Sequence, residues 1–269
     1  MFSHKELEKI CFDVNDIAIQ AGKGIKKYFN ANYEITIKED QSPVTTADIE
    51  ASEYIVEKLK KLTPNIPVLS EESSEISYDE RKLWTTYWLI DPLDGTRDFI
   101  KNRPGFSVNI ALVHNGTPIL GAIYLPMNDC IYFAAKNNGA FKIEQKNSPS
   151  EISVSNKVAP IIRVCASSAS PGKLLRGFLS KLPQHQLISI GSSIKSCKVA
   201  EGSADIYPRF GPTWEWDTAA AQCIVEQAGG RLTSLDFNTL SYNKPSLLNP
   251  PFFVYGDPTF DWESYIDTP

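Results

Sequence analysis

Four apolar segments follow one another between residues 106 and 144, and only short turn signals separate them. They lie at residues 106–113, 119–125, 131–135 and 140–144, and a further apolar segment, residues 87–90, precedes them. Short apolar segments bounded by turn residues are typical of buried strands. Asn115-Gly116 and Asn138-Gly139 lie between successive segments, and Asn-Gly pairs favour the tight turns of β-hairpins. The pattern predicts an antiparallel sheet with helices on one face.

Two amphipathic helices are predicted ahead of this sheet. Ser3 and Glu6 fit a capping box, and apolar residues then recur at helical spacing as far as Phe29. A second helix is expected to begin at Thr45-Thr46, and Pro64 follows its last apolar position. Residues 68–70 then form a short predicted strand.

The pattern changes near residue 150, beyond which strands alternate with helices. Strands are predicted at residues 161–166, 186–190, 231–235 and 252–255, and helices at residues 173–182, 193–201 and 217–228. We therefore predict two parts: an N-terminal α+β part, residues 1–150, and a C-terminal α/β part, residues 151–269.

Bulk properties exclude several classes of protein. The formal net charge of −5 argues against a partner that is a nucleic-acid polymer. No apolar run approaches the roughly 20 residues that an integral membrane segment requires. The five cysteines show no C-x-x-C spacing, which favours reduced thiols over a disulfide framework. A cytoplasmic location is expected.

The segment Asp91-Pro92-Leu93-Asp94-Gly95-Thr96 carries the strongest chemical signal. Pro92 suits position i+1 of a β-turn, which would bring Asp91 and Asp94 close together. Two carboxylates 4 Å apart repel by about 4 kcal/mol at an effective dielectric constant near 20. A pair of divalent ions would offset this repulsion, as in many phosphate-cleaving sites. The alternative is a capped turn without a metal.

Three further acidic residues are candidates, although each also fits a structural role. Glu71 follows the strand predicted at residues 68–70, so Glu71 and Asp91 would converge if their strands were adjacent. Asp217 fits a helix N-cap, and Asp48 fits the first turn of the second helix. The sequence alone does not bring Asp217 to Asp91.

Two segments could bind phosphate. Gly191-Ser192-Ser193-Ile194-Lys195 leads from a strand into a helix, where free backbone N–H groups and an ammonium group suit an anion. Arg209 offers the planar guanidinium that binds phosphate bidentately. A common strand-to-helix turn and a surface ion pair are the structural alternatives.

Three of these segments together resemble the metal motifs of the inositol monophosphatase superfamily. They are Ser70-Glu71-Glu72, Trp88 to Thr96, and Trp216-Asp217-Thr218-Ala219-Ala220. Within that superfamily the chain is most similar to the bacterial 3′(2′),5′-bisphosphate nucleotidases, through segments 38–48, 95–100, 191–195 and 207–213. The resemblance implies a layered α-β-α-β-α sandwich, dependence on magnesium and inhibition by lithium.

The resemblance also implies roles for individual residues. One Mg²⁺ would bind Glu71, Asp91 and the main-chain carbonyl of Leu93, and a second would bind Asp91, Asp94 and Asp217, with a third ion left open. Catalytic roles would belong to Asp48, Glu71 and Thr96. Substrate contacts would come from Glu71, Leu93, Asp94, Gly95, Thr96, Ser192, Lys195, Arg209 and Asp217.

The implied reaction is hydrolysis of 3′-phosphoadenosine 5′-phosphate, a small-molecule nucleotide, to AMP and phosphate by a metal-activated water. Alternatives are a phosphatase of the same superfamily acting on inositol monophosphate or a sugar bisphosphate, and a non-catalytic metal or nucleotide sensor. Ala169 stands where the nucleotidases often carry a histidine. The choice between monomer and homodimer, and peripheral contact with the inner membrane, are left open.

Overall fold

The computed structural model of the protein describes residues 2–38, 41–73, 75–145, 147–167 and 172–266. The helices in these ranges are α1 His4–Tyr28, α2 Thr46–Leu62, α3 Tyr78–Arg81, α4 Thr96–Ile100, α5 Lys173–Lys181, α6 Ile194–Ala200 and α7 Glu215–Gln227. The strands are β1 Ile35–Ile37, β2 Pro43–Thr45, β3 Val68–Ser70, β4 Thr86–Asp94, β5 Ser107–His114, β6 Thr117–Leu125, β7 Cys130–Ala135, β8 Ala140–Glu144, β9 Ser150–Ile152, β10 Ile162–Ala166, β11 His185–Ser189, β12 Ile206–Arg209, β13 Arg231–Ser234 and β14 Phe252–Tyr255.

The predicted antiparallel strands form the centre of a seven-stranded sheet in the order β3-β4-β5-β6-β7-β8-β9. Strand β3 pairs parallel to β4, and the other neighbours pair antiparallel. The turn between β5 and β6 has positive φ at Asn115 (49°) and Gly116 (70°), which matches the hairpin turn expected from that pair. Local turn chemistry therefore explains the succession of hairpins.

The expectation of helices on one face of this sheet is wrong, because helices cover both faces. Helices α1 and α2 pack on one face, and α7 packs on the other. Every residue of β5 except His114 is buried, as expected for a strand covered on both sides. A Cβ atom added at Gly121 of β6 would lie 2.3 Å from the carbonyl oxygen of Ala220 in α7, so glycine permits this close approach.

The second sheet has five strands in the order β11-β10-β12-β14-β13. Strands β11, β10 and β12 pair in parallel, while β14 pairs antiparallel to both of its neighbours. Helices α6 and α7 share a core with both sheets, and α5 packs on the outer face of the smaller sheet. The layers therefore follow the order α-β-α-β-α, which confirms the predicted fold class.

Helix ends were predicted more accurately than short strands. The capping box of α1 is present, since the Ser3 N–H donates to a Glu6 carboxylate oxygen at 2.7 Å. Strand β12 was missed because it contains Pro208, and proline argues against a central strand. The structure tolerates Pro208 because β12 pairs with β10 only at Ile206.

Within the described ranges, none of the helices combines the length and the apolarity needed to cross a membrane.

Strand β9 joins the larger sheet at residues 150–152, and the division of the chain into parts 1–150 and 151–269 stays a prediction.

Candidate active site

The ends of two parallel strands bring the first pair of acidic residues together. Strand β3 pairs with β4 so that Ser70 lies beside Ile90. The next residues along the chain are Glu71, which follows the end of β3, and Asp91, which lies within β4. The two acids therefore converge as expected, although the strand that carries Asp91 does not end there.

The segment Asp91–Asp94 is not the β-turn that the sequence predicts. Strand β4 continues through Asp94, and its register against β5 shifts: Asp91 pairs with Asn109, and Asp94 pairs with Ser107. Three steps along β4 thus match two along β5, which is a β-bulge. The extra residue of the bulge lies between Asp91 and Asp94, because pairing with β5 resumes at Asp94 after Pro92 and Leu93. The Leu93 N–H donates to Asp91 Oδ1 at 3.0 Å.

Helix α7 brings Asp217 to the same place. Asp217 lies in the first turn of α7, and the Trp214 N–H donates to Asp217 Oδ2 at 2.8 Å. One carboxylate oxygen from each of Asp91, Asp94 and Asp217 lies within 4.8 Å of the others. The expected N-cap role of Asp217 is wrong, because Trp214 is the N-cap and Asp217 is the third residue of the helix, from which it accepts the Trp214 N–H. This position also leaves Asp217 within the acidic cluster.

Burial and mutual repulsion make this cluster unfavourable when all its members are ionised. Burial, and then the charges of Glu71 and Asp94, raise the pKa of Asp91 well above its usual range. Burial and the charge of Asp94 do the same to Asp217. Burial raises the pKa of Glu71 to about 7 even though the Lys38 ammonium opposes the shift.

Lys38 forms ion pairs with Glu71 and Glu72 that nothing in the sequence indicated. Its Nζ lies 3.1 Å from Glu71 Oε1 and 2.8 Å from Glu72 Oε2. Lys38 supplies one positive charge beside Glu71, but the three carboxylates of Asp91, Asp94 and Asp217 lie close together. One lysine therefore does not balance the charge of the cluster. Carboxylate and carbonyl oxygens are the donors that Mg²⁺ prefers, so this cluster fits the implied metal.

Thr96 connects the acidic cluster to α2. Gly95 has φ of 101°, a left-handed conformation that favours glycine, and α4 begins at the next residue. Thr96 Oγ1 lies 2.9 Å from Asp48 Oδ1 and 3.1 Å from the carbonyl oxygen of Leu93. Of the two acids to which the resemblance gives a catalytic role, Asp48 is the one that Thr96 contacts.

Asp48 is held rigidly at the start of α2. The Thr45 N–H donates to Asp48 Oδ2 at 2.8 Å, and Thr45 Oγ1 donates to the same oxygen. Asp48 is only 1% exposed, and burial raises its pKa despite these hydrogen bonds. The residue therefore completes a capping box and also presents its second oxygen to Thr96.

Two adjoining cavities open onto the cluster. The smaller, about 260 Å³, is lined by Glu71, Asp91 and Thr96 among others, and the larger, about 490 Å³, extends towards the smaller sheet. Asp94 and Asp217 line both. The positive side chains that line the larger cavity are Arg97, Lys101, Arg103, Lys195 and Arg209. The arrangement places an acidic pocket beside a cavity with several cations, which suits a ligand with more than one phosphate.

Lys195 lies in the wall of the larger cavity. It is 3% exposed, and its Nζ donates to the carbonyl oxygen of Ser192 at 2.6 Å. Burial lowers the pKa of Lys195 to about 8, although the charge of Asp94 opposes the shift. Ser192 itself has φ of 48°. An anion beside this ammonium would favour its charged form.

Arg209 is only partly satisfied by the protein. Its Nη2 donates to the carbonyl oxygen of Pro212 at 2.9 Å, and its Nη1 lies 3.4 Å from Ser167 Oγ. Among the residues that the structure describes, the buried Nε has no hydrogen-bond partner. Buried donors are normally paired, so this one points to a missing acceptor. Ala169, the position of the missing histidine, lies outside the described residues.

Two residues at the site were missed by the sequence analysis. The Ser193 N–H donates to Asp94 Oδ2 at 2.6 Å, and the Asn109 side-chain amide donates to Ser193 Oγ at 2.9 Å. Ser193 lay within the quoted segment 191–195, but nothing in the sequence indicated a contact with Asp94. Asn109 carried no local signal.

Because the cluster is acidic, we expect the gain in protein stability on metal binding to depend on pH. Because the pKa of Glu71 is raised to about 7, ionising it costs folding free energy, and metal-free protein should lose stability as pH rises from 5 to 8. A divalent cation bound at the cluster would offset this loss and compete with protons. We expect saturating Mg²⁺ to raise Tm by about 5 °C at pH 8 and by much less at pH 5.5.

Differential scanning fluorimetry in EDTA and in excess Mg²⁺ at the two pH values checks this expectation. The difference at each pH isolates the metal site from other titrating groups. In Glu71→Gln the dependence of the Mg²⁺ effect on pH should shrink. An equal Mg²⁺ effect at both pH values in the wild type would contradict the role given to these carboxylates.

Comparisons with known proteins agree with one another. The model of the inositol monophosphatase family matches residues 6–256. The 3′(2′),5′-bisphosphate nucleotidase CysQ of Salmonella typhimurium is 43% identical over 251 residues, which cover 92% of this chain and 98% of that protein. The protein of the same name from Haemophilus influenzae is 39% identical over 250 residues, with coverage of 92% and 93%.

A solved structure is similar over the same extent. It is the crystal structure of CysQ from Bacteroides thetaiotaomicron, described as a bacterial member of the inositol monophosphatase family. It matches with a TM-score of 0.80 at 36% sequence identity, and the match covers 92% of this chain and 97% of that one. Sequence and structure comparisons therefore point to the same group of proteins.

Proposed function

Because this chain belongs to the inositol monophosphatase family, a family of metal-dependent phosphatases, we propose that it hydrolyses 3′-phosphoadenosine 5′-phosphate to AMP and phosphate. The three sequence motifs predicted the family, and that prediction is confirmed. Relatives about 40% identical over most of the chain are named 3′(2′),5′-bisphosphate nucleotidases. The observation that carries the proposal is the acidic cluster beside a cavity that Lys195 and Arg209 line.

The proposed metal is Mg²⁺, held by oxygen atoms alone. Glu71, Asp91 and the Leu93 carbonyl would hold one ion, and Asp91, Asp94 and Asp217 would hold a second. A third ion, at Glu71 or Asp48, remains open. Bound magnesium would lower the pKa of a water molecule and stabilise negative charge on the phosphate.

Thr96 and Asp48 are proposed to prepare the attacking water. Asp48 Oδ1 accepts the Thr96 hydroxyl proton, which leaves the lone pairs of Oγ1 to accept a hydrogen bond from water. The water proton would pass through Thr96 towards Asp48, with Glu71 as a second acceptor. The water oxygen would form a new bond to phosphorus as the P–O bond to the ribose 3′ oxygen breaks, and that oxygen would take a proton from solvent to complete AMP.

The remaining contacts would hold the nucleotide. The backbone N–H groups of Gly95 and Thr96 would face the phosphate that is removed, close to Asp94. Lys195 and Arg209 would hold the retained 5′-phosphate, with help from Ser192. Two observations support this assignment: the described part of the chain offers no acceptor to the Nε of Arg209, and the ammonium of Lys195 is desolvated. Both groups would gain a charged acceptor.

A comparison of three substrates tests the proposed function. We expect phosphate release from 3′-phosphoadenosine 5′-phosphate to exceed release from inositol 1-phosphate and fructose 1,6-bisphosphate by at least 100-fold in kcat/KM, about 2.7 kcal/mol of discrimination. EDTA should abolish release, and lithium should inhibit it. Faster turnover of the inositol or sugar phosphate would replace the proposed substrate with that one.

A non-catalytic sensor is the alternative from another class. The contact between Thr96 and Asp48 favours an enzyme, because a pure binding protein has no need to orient water. Single-turnover phosphate release with excess protein separates the two: an enzyme consumes the nucleotide, and a sensor only binds it. The cytoplasmic location and the choice between monomer and homodimer stay predictions.

A further inference from the structure

Both the backbone N–H and the side-chain hydroxyl of Ser193 contact the acidic cluster. Its N–H donates to Asp94 Oδ2 at 2.6 Å, and its Oγ lies 2.8 Å from the same oxygen. Oγ also lies 3.1 Å from the main-chain carbonyl of Asp217 and accepts from the Asn109 amide at 2.9 Å. Ser193 is 4% exposed, so solvent hardly competes for these bonds.

The proton of the Ser193 hydroxyl can serve only one acceptor. A carboxylate is the stronger acceptor, and it is also the nearer one, so the proton belongs to Asp94. Asn109 then donates to a lone pair of Oγ, which fixes the orientation of the hydroxyl. Two donors from one residue thus hold Oδ2 of Asp94.

These bonds limit what Asp94 can do with its other oxygen. With Oδ2 held by Ser193, rotation of the carboxylate is restricted, and Oδ1 is left for a further partner. A ligand that is oriented in this way binds a cation without first losing rotational freedom, which is the usual effect of hydrogen bonds behind a metal ligand.

The segment that carries Ser193 has little room to move. A Cβ atom added at Gly191 would lie 2.5 Å from the carbonyl oxygen of Gly105 and 2.6 Å from Asp98 Oδ2. Lys195 also ties the turn to itself through the Ser192 carbonyl. Ser193 is therefore a fixed point against which Asp94 is aligned.

We infer that Ser193 is a positioning residue, which acts through Asp94 to prepare the acidic cluster for a divalent cation. It touches neither the substrate nor the reacting atoms in this role. The identity of the cation as Mg²⁺ rests on the proposed function, whereas the contacts with Asp94 do not. Loss of the hydroxyl should weaken cation binding even when no nucleotide is present.

Calorimetric titration with Mg²⁺ alone tests the inference. We expect Ser193→Ala to raise the Kd for Mg²⁺ about 10-fold, the lower end of what such outer contacts contribute. Ser193→Thr, which keeps the hydroxyl, should bind Mg²⁺ as the wild type does. Thr233→Val is the matched control, because it removes a buried hydroxyl in β13 for which the described ranges offer no hydrogen-bond partner.

Two results would overturn the inference: a wild-type Kd in Ser193→Ala, or equal losses in the alanine and threonine variants. Activity should also recover in Ser193→Ala as Mg²⁺ is raised, which a general defect in folding would not allow. If the wild type binds Mg²⁺ but releases no phosphate from the nucleotide, the proposed function fails. The role of Ser193 is then still decided by the calorimetry.

Discussion

Replacing Asp94 by asparagine is expected to lower kcat for phosphate release by at least about 1000-fold, equivalent to roughly 4 kcal/mol of transition-state stabilisation. The change removes one negative charge from the cluster of Asp91, Asp94 and Asp217 and so weakens cation binding. The asparagine oxygen can still accept from Ser193, so the local fold should survive. Initial rates in excess Mg²⁺ measure the effect.

The same variant should be more stable than the wild type when no metal is present. Asp94 raises the pKa of both Asp91 and Asp217 by repulsion, and asparagine removes that repulsion. We expect a higher Tm in EDTA and a smaller gain on adding Mg²⁺. Asp79→Asn, an exposed acid on α3, is the control and should match the wild type. Retained turnover in Asp94→Asn would contradict the metal role.

The second large effect is expected from Arg209→Met. If Arg209 binds the retained 5′-phosphate, its loss should lower kcat/KM for the bisphosphate nucleotide about 100-fold, within the 2–5 kcal/mol range for truncating one partner of a buried charge pair. Most of the loss should appear in KM. Turnover of adenosine 3′-monophosphate, which lacks the second phosphate, should hardly change.

Steady-state kinetics on the two nucleotides therefore separate recognition from folding. Arg231→Met, an exposed arginine on β13 of the same sheet, is the matched control. Equal losses on both nucleotides would indicate a structural role for Arg209. No loss on either would place the 5′-phosphate elsewhere in the cavity, for example beside Lys101 or Arg103.

The parts of this fold that depend on neighbouring residues were predictable. The capping box of Ser3 and Glu6 marks the start of α1 because both groups lie within one helical turn. Asn115-Gly116 marks a hairpin because the turn requires positive φ. Glu71 and Asp91 could be placed together because Glu71 follows β3, Asp91 lies at the matching position of β4, and the two strands pair in parallel.

Errors arose where distant parts of the chain decide the outcome. The β-turn expected at Asp91-Pro92 is a bulge because Asp94 pairs with Ser107 of β5. Helices were expected on one face of the larger sheet, but α7, from the far end of the chain, covers the other. Strand β12 was missed because it contains Pro208, which has no backbone N–H to donate. Whether a sheet tolerates that loss depends on the neighbouring strand, and β10 pairs with β12 only at Ile206.

The sequence by itself determined the layered fold class through the resemblance of its motifs to a known family, and it identified the acidic residues that make up the cluster. The resemblance implied that Asp217 joins Asp91 and Asp94, and the tertiary structure brings the three together. Only the tertiary structure decided that Ser193 and Asn109 lie behind Asp94. The physical reason is range. Caps, turns and strand patterns act over a few residues, whereas the cluster forms where α6 and α7 pack between two sheets, and that packing depends on the whole core.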